Sequence, residues 1–215
     1  MRLPPATAHF SQPVTFGGYL GRRLRRAQYK TMAADVATAT STLLLAGRAW
    51  EDSEGPIQDA LADRDAIDDD LDSAAQDARA ALAGRSATAV KEAPYTMIFP
   101  DGVTYYTAAP LDEETKRYGE LKARLVDNLP PGDDVRVKTV AVIDPNVKAF
   151  AEAVAALDQA RTAQAMARTK LDAAREAWDR QMEKVYGALV AEFGKAKAER
   201  FFPAVRVKKA EKPTG

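Results

Sequence analysis

Apolar positions along this chain recur mostly at helical spacing. Tyr29, Met32, Val36, Ala39, Leu43, Ala46 and Trp50 stand alternately three and four residues apart. That spacing lines one face of an amphipathic helix and repeats as a heptad. It outweighs the β-branched character of the TATATST run within it, so a helix is expected over about 20–50. After a break at residues 53–56, Ile57, Leu61, Ile67, Leu71, Ala74, Ala78 and Leu82 follow one face of a second helix over 56–83, stopped at Gly84. A third helix over 112–128 turns Tyr118, Leu121 and Leu125 inward. Asp144-Pro145 reads as a helix start, with a capping residue followed by proline. The helix it opens is expected over 145–200. Its first apolar patch is Val147, Phe150, Val154 and Leu157. Its second is Leu171, Trp178, Met182, Val185, Leu189 and Phe193.

Two stretches depart from this period. YTMIFPDGVTYYT, residues 95–107, places β-branched and aromatic residues around Pro100-Asp101-Gly102, a turn signal, and predicts a small β-hairpin. VRVKTVAVI, residues 135–143, alternates and predicts a short strand or an extended connection. Residues 1–18 hold Pro4, Pro5, Pro13, Gly17 and Gly18 and read as an extended arm. The expected fold class is therefore mainly α: an elongated antiparallel helical bundle of coiled-coil-like hairpins, with a β-hairpin insert near 95–107. One helical domain over 19–203 lies between the arm and a basic tail over 204–215. Tyr29, Met32, Val36, Leu43 and Trp50, with Leu171, Trp178, Met182, Val185 and Leu189, are its expected packing positions.

Composition narrows the chemistry. With 46% hydrophobic residues the chain has enough apolar matter for a core. It has no cysteine, which excludes disulfides, thiolate metal sites and thiol nucleophiles. No stretch approaches the roughly 20 apolar residues of a membrane span, and the N-terminus has no signal-peptide core. A cytoplasmic protein, or a component of an assembly built in the cytoplasm, is expected.

The net charge is zero, but the charges are segregated. Residues 1–30 carry six basic residues and no acidic one, and residues 51–77 carry eleven acidic and one basic. Residues 195–215 carry seven basic and two acidic. Arg22, Arg23, Arg25, Arg26 and Lys30, with Arg206, Lys208 and Lys209 of the tail, are the candidate contacts for an anionic partner. At the start of a helix over 20–50, such arginines oppose the macrodipole, which argues that a partner favours them. Asp63, Asp65, Asp68, Asp69 and Asp72 form the candidate acidic face. An EF-hand loop from Asp63 fails, because its sixth and twelfth places hold Asp68 and Ala74. A solvated face for a basic partner is the better reading than a metal site.

Catalytic groups are sparse. The one histidine, His9, lies in the proline-rich arm, and no nucleophile elbow, phosphate loop or Glu-x-x-His pair occurs. No enzyme activity, metal or cofactor is expected. The expected role is that of a structural or assembly protein, a subunit of a filament, shell, virion or scaffold. Its partners would be copies of itself or other subunits, with the basic segments of one copy meeting the acidic helix of the next. A module binding nucleic acid or an anionic surface is the alternative.

Overall fold

The computed structural model describes residues 1–204, and these are mainly helical. The helices are α1 Ser11–Arg26, α2 Lys30–Asp52, α3 Glu54–Ala83, α4 Tyr95–Ile98, α5 Thr104–Thr107, α6 Glu114–Asn128, α7 Asp134–Phe193 and α8 Lys195–Ala198. Short 3-10 turns lie at Ala89–Lys91 and Glu199–Phe201. Among the described residues, no helix is long and apolar enough to cross a membrane. The chain divides into two compact units. Met1–Glu54 and the chain from Thr162 form unit 1, and Gly55–Arg161 forms unit 2.

In unit 1, α1 and α2 run antiparallel. Gly21 faces Val36, Gly17 faces Thr40 and Gly47 faces Phe10. The glycines expected to loosen an arm, Gly17 and Gly18, instead sit inside α1, and at Gly17 the close approach of α2 leaves no room for a Cβ. A Cβ on Gly17 would fall on the Thr40 hydroxyl, and one on Gly47 would fall on the Phe10 ring. Thr40 also accepts a hydrogen bond of 3.2 Å from the indole Nε1 of the buried Trp178. The core joins Phe16, Leu20, Leu24, Val36 and Leu43 to Leu171, Trp178, Met182, Val185 and Leu189. Tyr29, Met32 and Trp50 pack against it half-buried.

Two expectations for this unit are corrected. Residues 11–18 are helical, not an extended arm, because Phe16, Leu20 and Leu24 bury one apolar stripe against α2 and α7. The helix expected over 20–50 is two helices, broken at Ala27–Tyr29. Gln28 takes the left-handed conformation, with φ 68°. Its N–H bonds the Arg25 carbonyl at 3.1 Å, and the Tyr29 N–H bonds the Leu24 carbonyl at 2.9 Å. This pair of bonds is a Schellman stop with glutamine where glycine is usual.

Unit 2 has its own core. Leu71, Ala75, Ala78 and Leu82 of α3 meet Tyr118, Leu121 and Leu125 of α6, and Ile143 and Phe150 of α7 complete it. The β-hairpin is corrected: no strand occurs among the described residues, and residues 95–107 form α4 and α5 around the predicted turn. Gly102 has φ 78°, as the Pro-Asp-Gly signal requires, and its N–H bonds Phe99 at 3.2 Å. A lone two-stranded ribbon is marginal in water. Two helical turns satisfy their own backbone and bury Ile98, Phe99 and Tyr106, and the Tyr106 hydroxyl donates to the Ile98 carbonyl at 2.9 Å. Residues 135–143 are helical too. Helix α7 begins at Asp134, eleven residues before the Pro145 at which a start was expected, and ends at Phe193; the expected start would have left Val135 and Ile143 outside a helix. Both are buried in this core, and that burial favours the helix through them.

Candidate functional site: a basic end and a buried carboxyl

The break at Gln28 relocates the arginine cluster. Arg23, Arg25 and Arg26 occupy the last turn of α1 and Arg22 lies just before it. There the guanidinium charges complement the helix dipole instead of opposing it, which removes the dipole as an argument for a partner. A different argument replaces it. All four arginines and Lys30 are exposed, and none is in an ion pair among the described residues. Arg23 donates to the Arg200 carbonyl at 3.3 Å, and Arg25 donates to the Gly21 carbonyl at 3.4 Å. With Tyr19, 43% exposed, the four arginines line an open concavity of about 450 Å³.

The carboxylates near this end are already engaged. The Tyr29 hydroxyl donates to Glu192 at 2.5 Å. Glu199 receives the Met1 ammonium at 3.2 Å and the Tyr186 hydroxyl at 3.4 Å. The hydrogen bond from the N-terminal ammonium is the main reason the Glu199 carboxyl is held below its usual range. An aromatic cluster of Tyr29, Phe193 and Phe201, with centroids 5.9–6.3 Å apart, fastens the α1–α2 turn to the end of α7. Tyr19 also lines a neighbouring groove with Pro4, Phe16, Pro203 and Ala204. Arg206, Lys208 and Lys209 lie outside the described residues. Tyr19 and Arg200 escaped the sequence reading: no spacing along the chain connects residue 19 or 23 with residues 200–204.

The acidic face divides. Asp63, Asp65 and Asp69 are exposed, whereas Asp68 and Asp72 are half-buried. The expectation of a solvated face is corrected for these two. They stand on the side of α3 that carries Leu71 and Ala75 and meets α6. The Tyr118 hydroxyl donates to Asp72 Oδ1 at 2.6 Å. Glu114, only 4% exposed, is buried in the first turn of α6. Burial, then the neighbouring Asp68 and Asp72 carboxyls, push the Glu114 carboxyl up to about 8, against a smaller opposing pull from Arg64. Burial likewise raises Asp72, helped by Asp68 and Asp69 and opposed by the bond from Tyr118. Burial and the Asp72 contact raise the Tyr118 phenol. The sequence held a sign of this cluster. Glu114, Tyr118, Leu121 and Leu125 are spaced four, three and four, which puts a glutamate on the apolar stripe.

Among the described residues, no group of three or more metal-ligating side chains is placed to hold an ion. His9 is exposed, its ring nitrogens 2.9 Å from the Ser11 hydroxyl and 3.1 Å from Glu51. Comparison with protein-family models, with curated proteins and with solved structures gives no match to this chain.

Proposed function

We propose that this chain is a non-catalytic assembly protein of the cytoplasm that docks an acidic partner, in the first place another copy of itself, on the basic end of unit 1. The observation that carries this reading is the group of exposed arginines Arg22, Arg23, Arg25 and Arg26, none ion-paired among the described residues while the nearby Glu192 and Glu199 are engaged by other donors. The complementary surface on a second copy is the exposed part of the acidic helix, Asp63, Asp65 and Asp69. A contact between unlike surfaces leaves each copy with one of each still free, so it builds rings or filaments.

Light scattering after gel filtration, across concentration and salt, tests the reading. The wild type is expected above 23.3 kDa at low salt and to dissociate as salt screens the contact. The double variant Arg22→Glu/Arg26→Glu should stay monomeric. Adding Asp65→Arg/Asp69→Arg on a second population should restore mixed association. A wild type that is monomeric at every concentration and salt would remove the self-association reading.

One observation favours a second reading, an anionic polymer or surface as partner. Tyr19 supplies the exposed aromatic among the arginines that base stacking uses. Filter binding with single-stranded nucleic acid separates the two. Binding that falls steeply with salt supports it, and no binding at low salt excludes it.

A further inference from the structure

Helix α2 carries a second pattern on the face turned away from its core. No charged residue occurs from Val36 to Gly47, yet Ala37, Thr38, Ser41 and Leu45 within that stretch are exposed, Leu45 by 63%. Ala34, Ala37, Thr38 and Ser41 stand at i, i+3, i+4 and i+7, the four corners of a hole that accepts one side chain from a facing helix. All four are small and exposed. Gly17, Gly18 and Gly21 keep α1 low beside them and line an open trough of about 240 Å³ with Ala37 and Ser41. We propose that this face of α2 docks antiparallel on the same face of a second copy, with Leu45 of each copy seated in the hole of the other. The contact is isologous, goes beyond the assembly reading and does not depend on it.

The charges that flank this face select a second copy as its occupant. Lys30 and Asp35 stand towards the N-terminal end of α2, and Arg48 and Asp52 towards its C-terminal end. All four are exposed, and none is ion-paired among the described residues. Their signs run plus, minus, plus, minus along the helix. An antiparallel copy therefore sets Lys30 against Asp52 and Asp35 against Arg48, unlike charges at every place. A parallel copy would set like charges together. The two charge pairs and the seating of Leu45 each centre the contact at Ser41 and Thr42, so one register satisfies all three. Small residues at that centre let the two helix axes approach closely. The face offers fewer than the roughly 20–30 residues a side of a standard stable interface. The pair is therefore transient. It forms in concentrated solution and comes apart on dilution in gel filtration, which leaves the arginine reversals monomeric there.

The chain has no cysteine, so a single introduced thiol reads the register. A disulfide forms only where the Cα atoms come within about 7 Å. In concentrated whole protein oxidised with copper-phenanthroline, Ser41→Cys should give disulfide-linked dimers. Ala34→Cys and Ala49→Cys should each stay unlinked alone, because the two copies of either position lie roughly 22 Å apart along the pair. Mixed together, those two variants should join to each other. Adding Leu45→Glu to Ser41→Cys should slow the linking by about tenfold or more, and the exposure of Leu45 leaves the core of unit 1 intact. Adding Arg22→Glu/Arg26→Glu instead should leave the rate unchanged, which separates this contact from the basic end. The proposal is overturned if Ser41→Cys does not link, if Ala34→Cys links to itself as fast as to Ala49→Cys, if Leu45→Glu has no effect, or if the arginine reversals abolish the linking.

Discussion

Gly17 and Gly47 set how closely α1 approaches α2. Each added methyl would meet a group with no free direction to move: Thr40 is held by Trp178, and the Phe10 ring is itself buried. Gly17→Ala and Gly47→Ala should each destabilise unit 1 by about 1–3 kcal/mol, the usual cost of overpacking. Gly187 of α7 is the internal control. Nothing lies within 4 Å of its added Cβ, so Gly187→Ala should stabilise by about 0.5–1 kcal/mol through helix propensity. Denaturant unfolding followed by tryptophan emission measures all three, since Trp50 and Trp178 both belong to unit 1. The close approach was not legible in the sequence. A glycine in a helix reads as a weakness until the neighbour it admits is known.

Among the elements, the α1–α2 break and the course of α7 were the least legible. Glutamine is not a stop signal, and the heptad stripe begins only at Tyr29, with Leu20 and Leu24 out of its phase upstream of the break. The stop exists because antiparallel α1 and α2 bury Leu20, Leu24 and Val36 together. Gln28→Gly removes the penalty of a Cβ at positive φ and should stabilise unit 1 by about 1 kcal/mol, seen as a higher denaturant midpoint with unchanged slope. Pro145 was read as a start because proline suits a first turn. Inside α7 it leaves one carbonyl of the preceding turn without its helical partner. Pro145→Ala should therefore stabilise unit 2 by about 1–3 kcal/mol. The slower exchange of peptides around residues 138–148 would register that gain. Unchanged exchange there would mean that the neighbouring backbone already absorbs the missing bond.

For the whole molecule, segregated charge is the main functional signal. A net charge of zero conceals a basic cluster in unit 1 and an acidic helix in unit 2. Long-range attraction between copies should fade over the Debye length, about 10 Å at 0.1 M salt. Association should thus weaken between low and physiological salt, with the arginine reversals abolishing the dependence. Burial leaves the basic cluster exposed and divides the acidic one into exposed residues and residues packed towards α6. Asp63 and Asp69 are exposed, Asp65 is exposed but paired with Arg64, and Asp72 is committed to Tyr118 of α6 beside the half-buried Asp68. This division was invisible in a run of aspartates, because it depends on which turn of α3 lies against α6.

The sequence by itself determined the helical class, the apolar stripes and the charge segregation, since these follow from residue type and spacing along one chain. It also located the Pro-Asp-Gly turn, whose conformation is local. The tertiary structure decided what local rules leave degenerate. It made helical turns of the aromatic segment around that turn, because burying Phe99 and Tyr106 on α6 requires no ladder partner. It put the arginines at the end of a helix instead of its start, because packing, not a stop residue, ended α1. It turned Glu114 from one charge among many into a buried carboxyl held well above its usual range, because burial and neighbouring carboxylates together make ionisation costly.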